Sequence, residues 1–518
     1  MLSPSSSSAT VLPGAPRGAE AAGTGACAAR PEAAAPRRGA GGEAALGKDP
    51  ANISTAISEA QREQARSRRS ERYALRRAAG DLLGDQQQHR VWACGRRAVG
   101  MGGEGGGVGV RLSDGHAGIA GLETCGSVWA CPVCAAKIQS ARAEELGQVL
   151  AWARAEQRTL AMLTLTVRHT KRDSLSKVWD TVTGAWADVT AGAAWGSESP
   201  AEYEKRCDAW MQRGRESDWD RAAGLTQATG ARRAPRGWAA GIMPQRTIGL
   251  QEQHGLLGWA KVVEATVGER GWHVHLHVVL VLDDAGDLGD IQARQLGAGM
   301  GERWRRAVAR RGMSASRQHG YDLAVSRAAE QRLADYLTKT GDHEKRAEIT
   351  RDMGKKARNL AAEATLGAFK QGRSENRTPF QVLADAAATG DMADVAVWRQ
   401  WVEGSAGRKN LTWSEELRTL AGLAKQERSN EEIAAETTGS EDDTIAILPG
   451  TSWMRVYPVA DQMLDAAERG GAAGLYRWLE DHGVTYFVPD GEGRAGVLKP
   501  HGARWAGGRS RMLGPALP

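Results

Sequence analysis

No run of about 18 apolar residues, the length a membrane-spanning helix requires, occurs in this 518-residue chain. A basic segment followed by an apolar one is also missing at the N-terminus, so neither a membrane partner nor export is expected, and the expected setting is the cytoplasm. Cysteine is scarce, with six in all, and a cytoplasmic setting argues against disulfides as their role. The glycine-rich run from Gly100 to Gly109 lacks both a following Lys-Ser/Thr and a preceding apolar strand, which excludes a phosphate-binding loop. Charge of one sign is not abundant either: 68 basic against 62 acidic residues leave +6, too mild to identify a nucleic-acid partner by itself.

What the chain does contain is a row of histidines. In Gly271-Trp272-His273-Val274-His275-Leu276-His277-Val278, three of the eleven histidines alternate with apolar residues. Residues two apart on a strand share a face, so His273, His275 and His277 line one side while Val274, Leu276 and Val278 face a core. Imidazoles so placed are close enough to share a divalent ion, and burying them unpaired would be costly. Just upstream, Val262 to Val267 reads as a strand and Gly268-Glu269-Arg270-Gly271 as a tight turn. Pairing Gly268 with Gly271 sets Glu264 opposite His275, where a carboxylate could complete a site suited to Mg²⁺ or Mn²⁺. A cross-strand hydrogen bond without metal is the competing reading, and a one-residue slip would turn Glu264 to the other face.

Two further segments point to chemistry. Leu160 to Val167 reads as a strand with Leu163, Leu165 and Val167 on one face and Thr164 and Thr166, candidate auxiliary residues, on the other. Ala329 to Lys339 reads as a helix that sets Tyr336 and Lys339 three apart on one side. A tyrosine beside a lysine, following a histidine strand, suggests attack on a phosphodiester, with the phenolic oxygen as nucleophile.

The cysteines form a separate pattern. Cys131-Pro132-Val133-Cys134 has the two-residue spacer that brings both thiolates to one Zn²⁺. Cys125 precedes it closely, and Cys94 is the natural fourth ligand, with His116 as a substitute. Four thiolates would leave no open position, so this zinc is expected to be structural.

The order LTLT, WHVHLHVVL and YLTK, together with the segments Cys125–Cys134 and Gly258–Glu264, resembles HUH endonucleases. The closest likeness is to rolling-circle plasmid replication initiators of high-GC Gram-positive bacteria, and it covers roughly residues 90 to 420. That resemblance implies that His275 and His277 are the paired metal ligands, that Tyr336 is the nucleophile and that Lys339 accompanies it. His273 falls where the family varies, and is expected to be an outer-shell or DNA-contacting residue. A 5′-phosphotyrosine and a free 3′-hydroxyl primer would result, with plasmid origin DNA, a host helicase and a DNA polymerase as partners. Some relatives carry a glutamate one helical turn before the tyrosine; here that position is Arg332, so the resemblance assigns no residue to the terminating step.

The expected fold is α+β: an antiparallel sheet with helices on one face, ferredoxin-like as in that family, preceded by a small zinc module and followed by a helical region. Residues 1–55, rich in Ser, Ala, Gly and Pro, read as a disordered tail, and 56–150 as a basic helix with the zinc module. The endonuclease domain would span 151–350 with a helical insertion at 171–250, and 351–518 would be mostly helical, with possible DNA contacts. Thr412 to Glu415 has the spacing of a capping box, and Asn430 to Gly439 that of either half a helix-turn-helix or a short capped helix. A mobilisation relaxase or single-strand transposase would use the same chemistry. A zinc-dependent, non-catalytic DNA-binding regulator is the reading from a different class.

Overall fold

The computed structural model describes residues 59–83, 89–100, 107–325, 376–489 and 499–501. The expected tail at 1–55, most of the glycine run, and the helix 329–339 with Tyr336 and Lys339 lie outside the described residues.

In chain order, α1 (Glu59–Asp81), α2 (Arg90–Ala93), β1 (Val108–Ser113), β2 (His116–Ala120) and α3 (Pro132–Ala155) come first. Next are β3 (Thr159–Thr166), α4 (Leu175–Val189), α5 (Ala193–Gly196), α6 (Pro200–Ala222) and α7 (Leu250–Gln253). They lead to β4 (Leu256–Gly268), β5 (Gly271–Leu282), α8 (Gly286–Arg310) and β6 (Tyr321–Val325). After residue 376 follow α9 (Pro379–Thr389), α10 (Met392–Ser405), β7 (Leu411–Trp413), α11 (Leu417–Leu420) and α12 (Asn430–Ala435). The last are β8 (Thr444–Leu448), α13 (Gly450–Val456), α14 (Ala460–Asp481), β9 (Tyr486–Val488) and β10 (Lys499–His501).

These elements make a mixed α+β protein with two antiparallel sheets, each of five strands. One has the order β6-β3-β5-β4-β7, with the histidine strand β5 at its centre. The β4–β5 hairpin closes with Gly268 opposite Gly271, whose φ of 87° is accessible to glycine at little cost. Alternation then decides the faces. Leu163, Leu165, Val263, Val274, Leu276 and Val278 pack under α4 and α8, joined by Val178, Trp179, Leu296, Met300 and Trp304. Between β3 and β4, Ser174 caps α4 by accepting from the Lys177 amide, and Ser199 and Glu202 make a reciprocal cap on α6.

Helices are not confined to one face, contrary to the expectation. Leu146, Val149 and Leu150 of α3 pack on the opposite side, against Leu160, Ala260, Val262, Val279 and Val281. The reason is that only the far half of that face is apolar; its other half carries the histidines and threonines. The region beyond 376 is also not purely helical. Its β7 extends the first sheet, while β8, β9 and β10 join β1 and β2 in the second, ordered β10-β9-β8-β1-β2. The segments read as a zinc module and as a C-terminal helical region are therefore joined through one sheet.

One local reading changes for the same kind of reason. Thr412 and Trp413 belong to strand β7, where Thr412 pairs with Lys261 of β4, so no capping box forms there. The arginines of α1 do not all face solvent: Arg66 and Arg69 pair with Glu468 on α14, and Arg69 also with Asp465. Asn430–Ala435 is a short helix with a reciprocal Ser429–Glu432 cap, its Ile433 and Ala434 buried.

Candidate metal centres

The register of the first sheet brings three side chains together. Glu264 on β4 stands opposite His275 on β5, and His275 opposite Thr166 on β3; one rung along, His277 stands opposite Thr164. Cross-strand partners share a face, so the acid, both imidazoles and both hydroxyls emerge on the half of the sheet that α3 leaves uncovered. His275 Nε2 and His277 Nε2 lie 3.0 Å apart, and Glu264 Oε2 is 3.1 Å from the first and 2.9 Å from the second. The three side chains are only 11–13% exposed.

A nearly equilateral triangle of lone pairs with sides of 2.9–3.1 Å is the shape of one face of an octahedron. Metal–ligand bonds of about 2.1 Å place neighbouring octahedral ligands about 3.0 Å apart. Two imidazoles and a carboxylate in that arrangement fit a divalent ion that keeps other positions open.

Thr164 Oγ1 is 3.2 Å from His277 Nδ1; an Nδ1–H donating to that hydroxyl would leave Nε2 bare and aimed at Glu264 and His275, the tautomer a metal ligand needs. Thr166 acts elsewhere: its hydroxyl donates to the His319 carbonyl at 2.8 Å, and the buried Nδ1 of His275 has no hydrogen-bond partner. We expect Thr164→Val, which keeps the shape and removes the hydroxyl, to raise the divalent concentration for half-maximal binding by about tenfold. Metal titration of the purified variant reads this directly, and an unchanged midpoint would assign the tautomer to another group.

His273 is outside the triangle. Its Nδ1 meets His169 Nε2 at 3.0 Å, and His169 Nδ1–H donates to the Arg270 carbonyl at 3.1 Å. Because a carbonyl only accepts, His169 must offer a bare Nε2, and His273 donates to it. Burial, reinforced by the neighbouring imidazole of His275, pushes His273 down to about 4, so it is neutral near pH 7. Sequence reasoning missed His169. Only the β3–β5 pairing, which no local pattern sets, carries residues 168–169 beside Trp272 and His273.

The second centre is the cysteine cluster. Cys94, Cys125, Cys131 and Cys134 are buried, with all four sulfurs within 4.8 Å of one another. Cys94 Sγ is 3.7 Å from Cys131 Sγ and 3.6 Å from Cys134 Sγ, and Cys125 Sγ is 3.7 Å from Cys134 Sγ. A disulfide needs about 2.05 Å, whereas sulfurs about 2.3 Å from one zinc ion stand about 3.8 Å apart at tetrahedral corners. The donor set therefore fits a closed four-thiolate site, and His116, on strand β2, is not part of the cluster. Pro132 at the first position of α3 puts Cys131 at its cap and Cys134 in its first turn, where exposed amides favour thiolate. Contacts from Cys125, Cys131 and Cys94 pull the Cys134 thiol well below its ordinary value.

An aromatic cluster spans the two centres. Trp129, between Cys125 and Cys131, meets Trp401 and Trp179 edge-on at 5.6 and 5.1 Å, and Trp401 stacks on Trp272 at 5.3 Å. Trp272 is the residue before His273. The Trp401 indole also donates to the Trp129 carbonyl at 2.8 Å.

Two curated proteins are similar in sequence. One is the "Protein rep" of Streptomyces lividans, 26% identical over 361 residues, covering 62% of this chain and 70% of that protein. The other is a "Neomycin resistance protein" of Streptomyces cyanogenus, 28% identical over 175 residues and 33% of each chain. No family model matches the sequence, and no solved structure matches it.

Proposed function

We propose that this chain initiates rolling-circle replication of a plasmid by nicking one DNA strand at the origin and later rejoining it. The observation that carries the reading is the Glu264–His275–His277 triangle on the sheet face beside α3. The similarity to the Streptomyces lividans Protein rep supports the same assignment.

Under this reading Glu264, His275 and His277 hold Mg²⁺ or Mn²⁺, and the bound ion supplies polarisation of a non-bridging oxygen of the scissile phosphate. Thr164 keeps His277 in the ligating tautomer, while His273 and His169 position the edge of the site. Tyr336 is the nucleophile: its phenolic oxygen gives up its proton and bonds to phosphorus, the bond from phosphorus to the 3′ oxygen breaks, and that oxygen takes up a proton and leaves as a 3′-hydroxyl, with no net change in protons. Lys339 offsets the negative charge that develops during attack. Rejoining is the reverse attack by a 3′-hydroxyl on the phosphotyrosine. The four cysteines hold a structural Zn²⁺.

Residues 151–350 then form an HUH endonuclease domain of ferredoxin-like type, with a zinc module before it and possible DNA contacts in 351–518. Origin DNA is the partner, as duplex and as exposed single strand. A primer end calls for a polymerase, and strand separation for a helicase, both supplied by the host cytoplasm.

Tyr336→Phe tests the assignment, because it keeps the ring and deletes the reacting oxygen. Origin binding should persist, while nicking falls about a thousandfold or more and the covalent adduct disappears. An adduct of normal yield in that variant, mapped by mass spectrometry to a different tyrosine, would overturn it.

A further inference from the structure

Arg76, on α1, is buried to 4% exposure without an evident counter-charge. A Cβ built on Gly95 would stand 2.3 Å from its Nη1 and 2.5 Å from its Cζ, so the guanidinium lies against the backbone that carries Cys94. The rings of Tyr73 and Tyr457 flank it, 4.4 and 5.3 Å from Cζ. Its Nε and Nη2 are buried with no hydrogen-bond partner. The groups that favour its charged form most are Tyr73, Tyr457, Cys94 and Cys131, with no carboxylate of the described residues among them. Arg66 and Arg69, two to three turns earlier on the same helix, instead reach Glu468.

A guanidinium stays protonated in a protein, and a buried cation with no anion nearby is strongly disfavoured. The cysteine cluster answers that need once it holds a divalent ion, because four thiolates exceed the charge of the ion and leave the centre anionic. We propose that Arg76 is the counter-cation of a four-thiolate zinc centre, coupling the seating of α1 to metal occupancy. The role rests on reading the four cysteines as a zinc site. The two tyrosine rings, 4.4 and 5.3 Å from Cζ, hold the guanidinium in place by cation–π attraction, which a compact ammonium would not exploit in the same way.

The test compares Arg76→Met, Arg76→Lys and Arg76→Gln in the full chain, titrating Zn²⁺ against a chromophoric chelator and recording the Co²⁺ charge-transfer bands. Arg76→Met and Arg76→Gln should weaken Zn²⁺ binding by about 10- to 100-fold, and Arg76→Lys by less. Melting should separate charge from packing: Arg76→Met should lower the Tm of the zinc-loaded protein while leaving the metal-stripped protein as stable or more so. Equal losses with and without metal, or equal zinc affinity in the Lys and Gln variants, would overturn the role and leave Arg76 a packing residue. A zinc-free wild-type chain that is folded and active would remove the site itself, a distinguishable failure. If Arg76→Met does not fold, the Lys–Gln comparison still decides the matter.

Discussion

His277→Ala should abolish divalent-dependent cleavage of single-stranded origin DNA, lowering its rate about a thousandfold or more, while zinc content and origin binding stay intact. The size of the effect follows from the geometry. His277 Nε2 is 3.0 Å from His275 Nε2 and 2.9 Å from Glu264 Oε2, so removing it takes away a corner of the triangle and leaves two ligands for an ion that needs a stable seat. Its Thr164 partner is then also left without an imidazole. Glu264→Ala should be graded rather than absolute. Both imidazoles remain, but the charged ligand that suits a hard cation is lost, and the divalent concentration for half-maximal nicking should rise about 10- to 100-fold. Cleavage rate against Mg²⁺ and Mn²⁺ concentration reads both variants. Full activity in His277→Ala would place catalysis elsewhere, and an unchanged metal requirement in Glu264→Ala would reduce Glu264 to a hydrogen-bond partner of His275.

Cys134→Ser is expected to have the largest effect on stability. Structural zinc sites contribute folding free energy directly, and Cys134 lies 3.6–3.7 Å from two other sulfurs, at the start of the helix that covers the back of the sheet. We expect zinc to fall to a small fraction of the wild-type content. A stability loss of about 4 kcal/mol or more is expected, since loss of a metal belongs to the mutations with the largest effects. With an unfolding entropy of about 2.1 cal/mol/K per residue, a unit of this size shifts by about 1 °C per kcal/mol, so the Tm should drop by about 4 °C or more. Activity should fall as well, because Trp129 sits between the zinc ligands and reaches Trp272, beside His273, through Trp401. Metal analysis and thermal melting check this, and a zinc-free Cys134→Ser chain with wild-type melting and nicking would refute it.

The sequence by itself determined the features whose causes are local. A two-residue turn between glycines sets the register of its hairpin, and a period of two decides which side chains share a face; Glu264, His275 and His277 could therefore be placed together before any tertiary contact was known. The Cys131–Cys134 spacer is local in the same way, as are the caps at Ser174 and Ser199. Only the tertiary structure decided the rest. Val108 pairs with Leu448 across the whole chain, and no periodicity in either strand names its partner. That α3 covers the back of the sheet follows from where an apolar half-face is left to bury, not from the amphipathic pattern of α3. Thr412 had two possible uses, and pairing with Lys261 of β4 drew it into strand β7 in preference to a helix cap. His169 and Arg76 were invisible for the same reason: each acts on a residue brought to it by packing, and burial far along the chain leaves no mark on the sequence around either side chain.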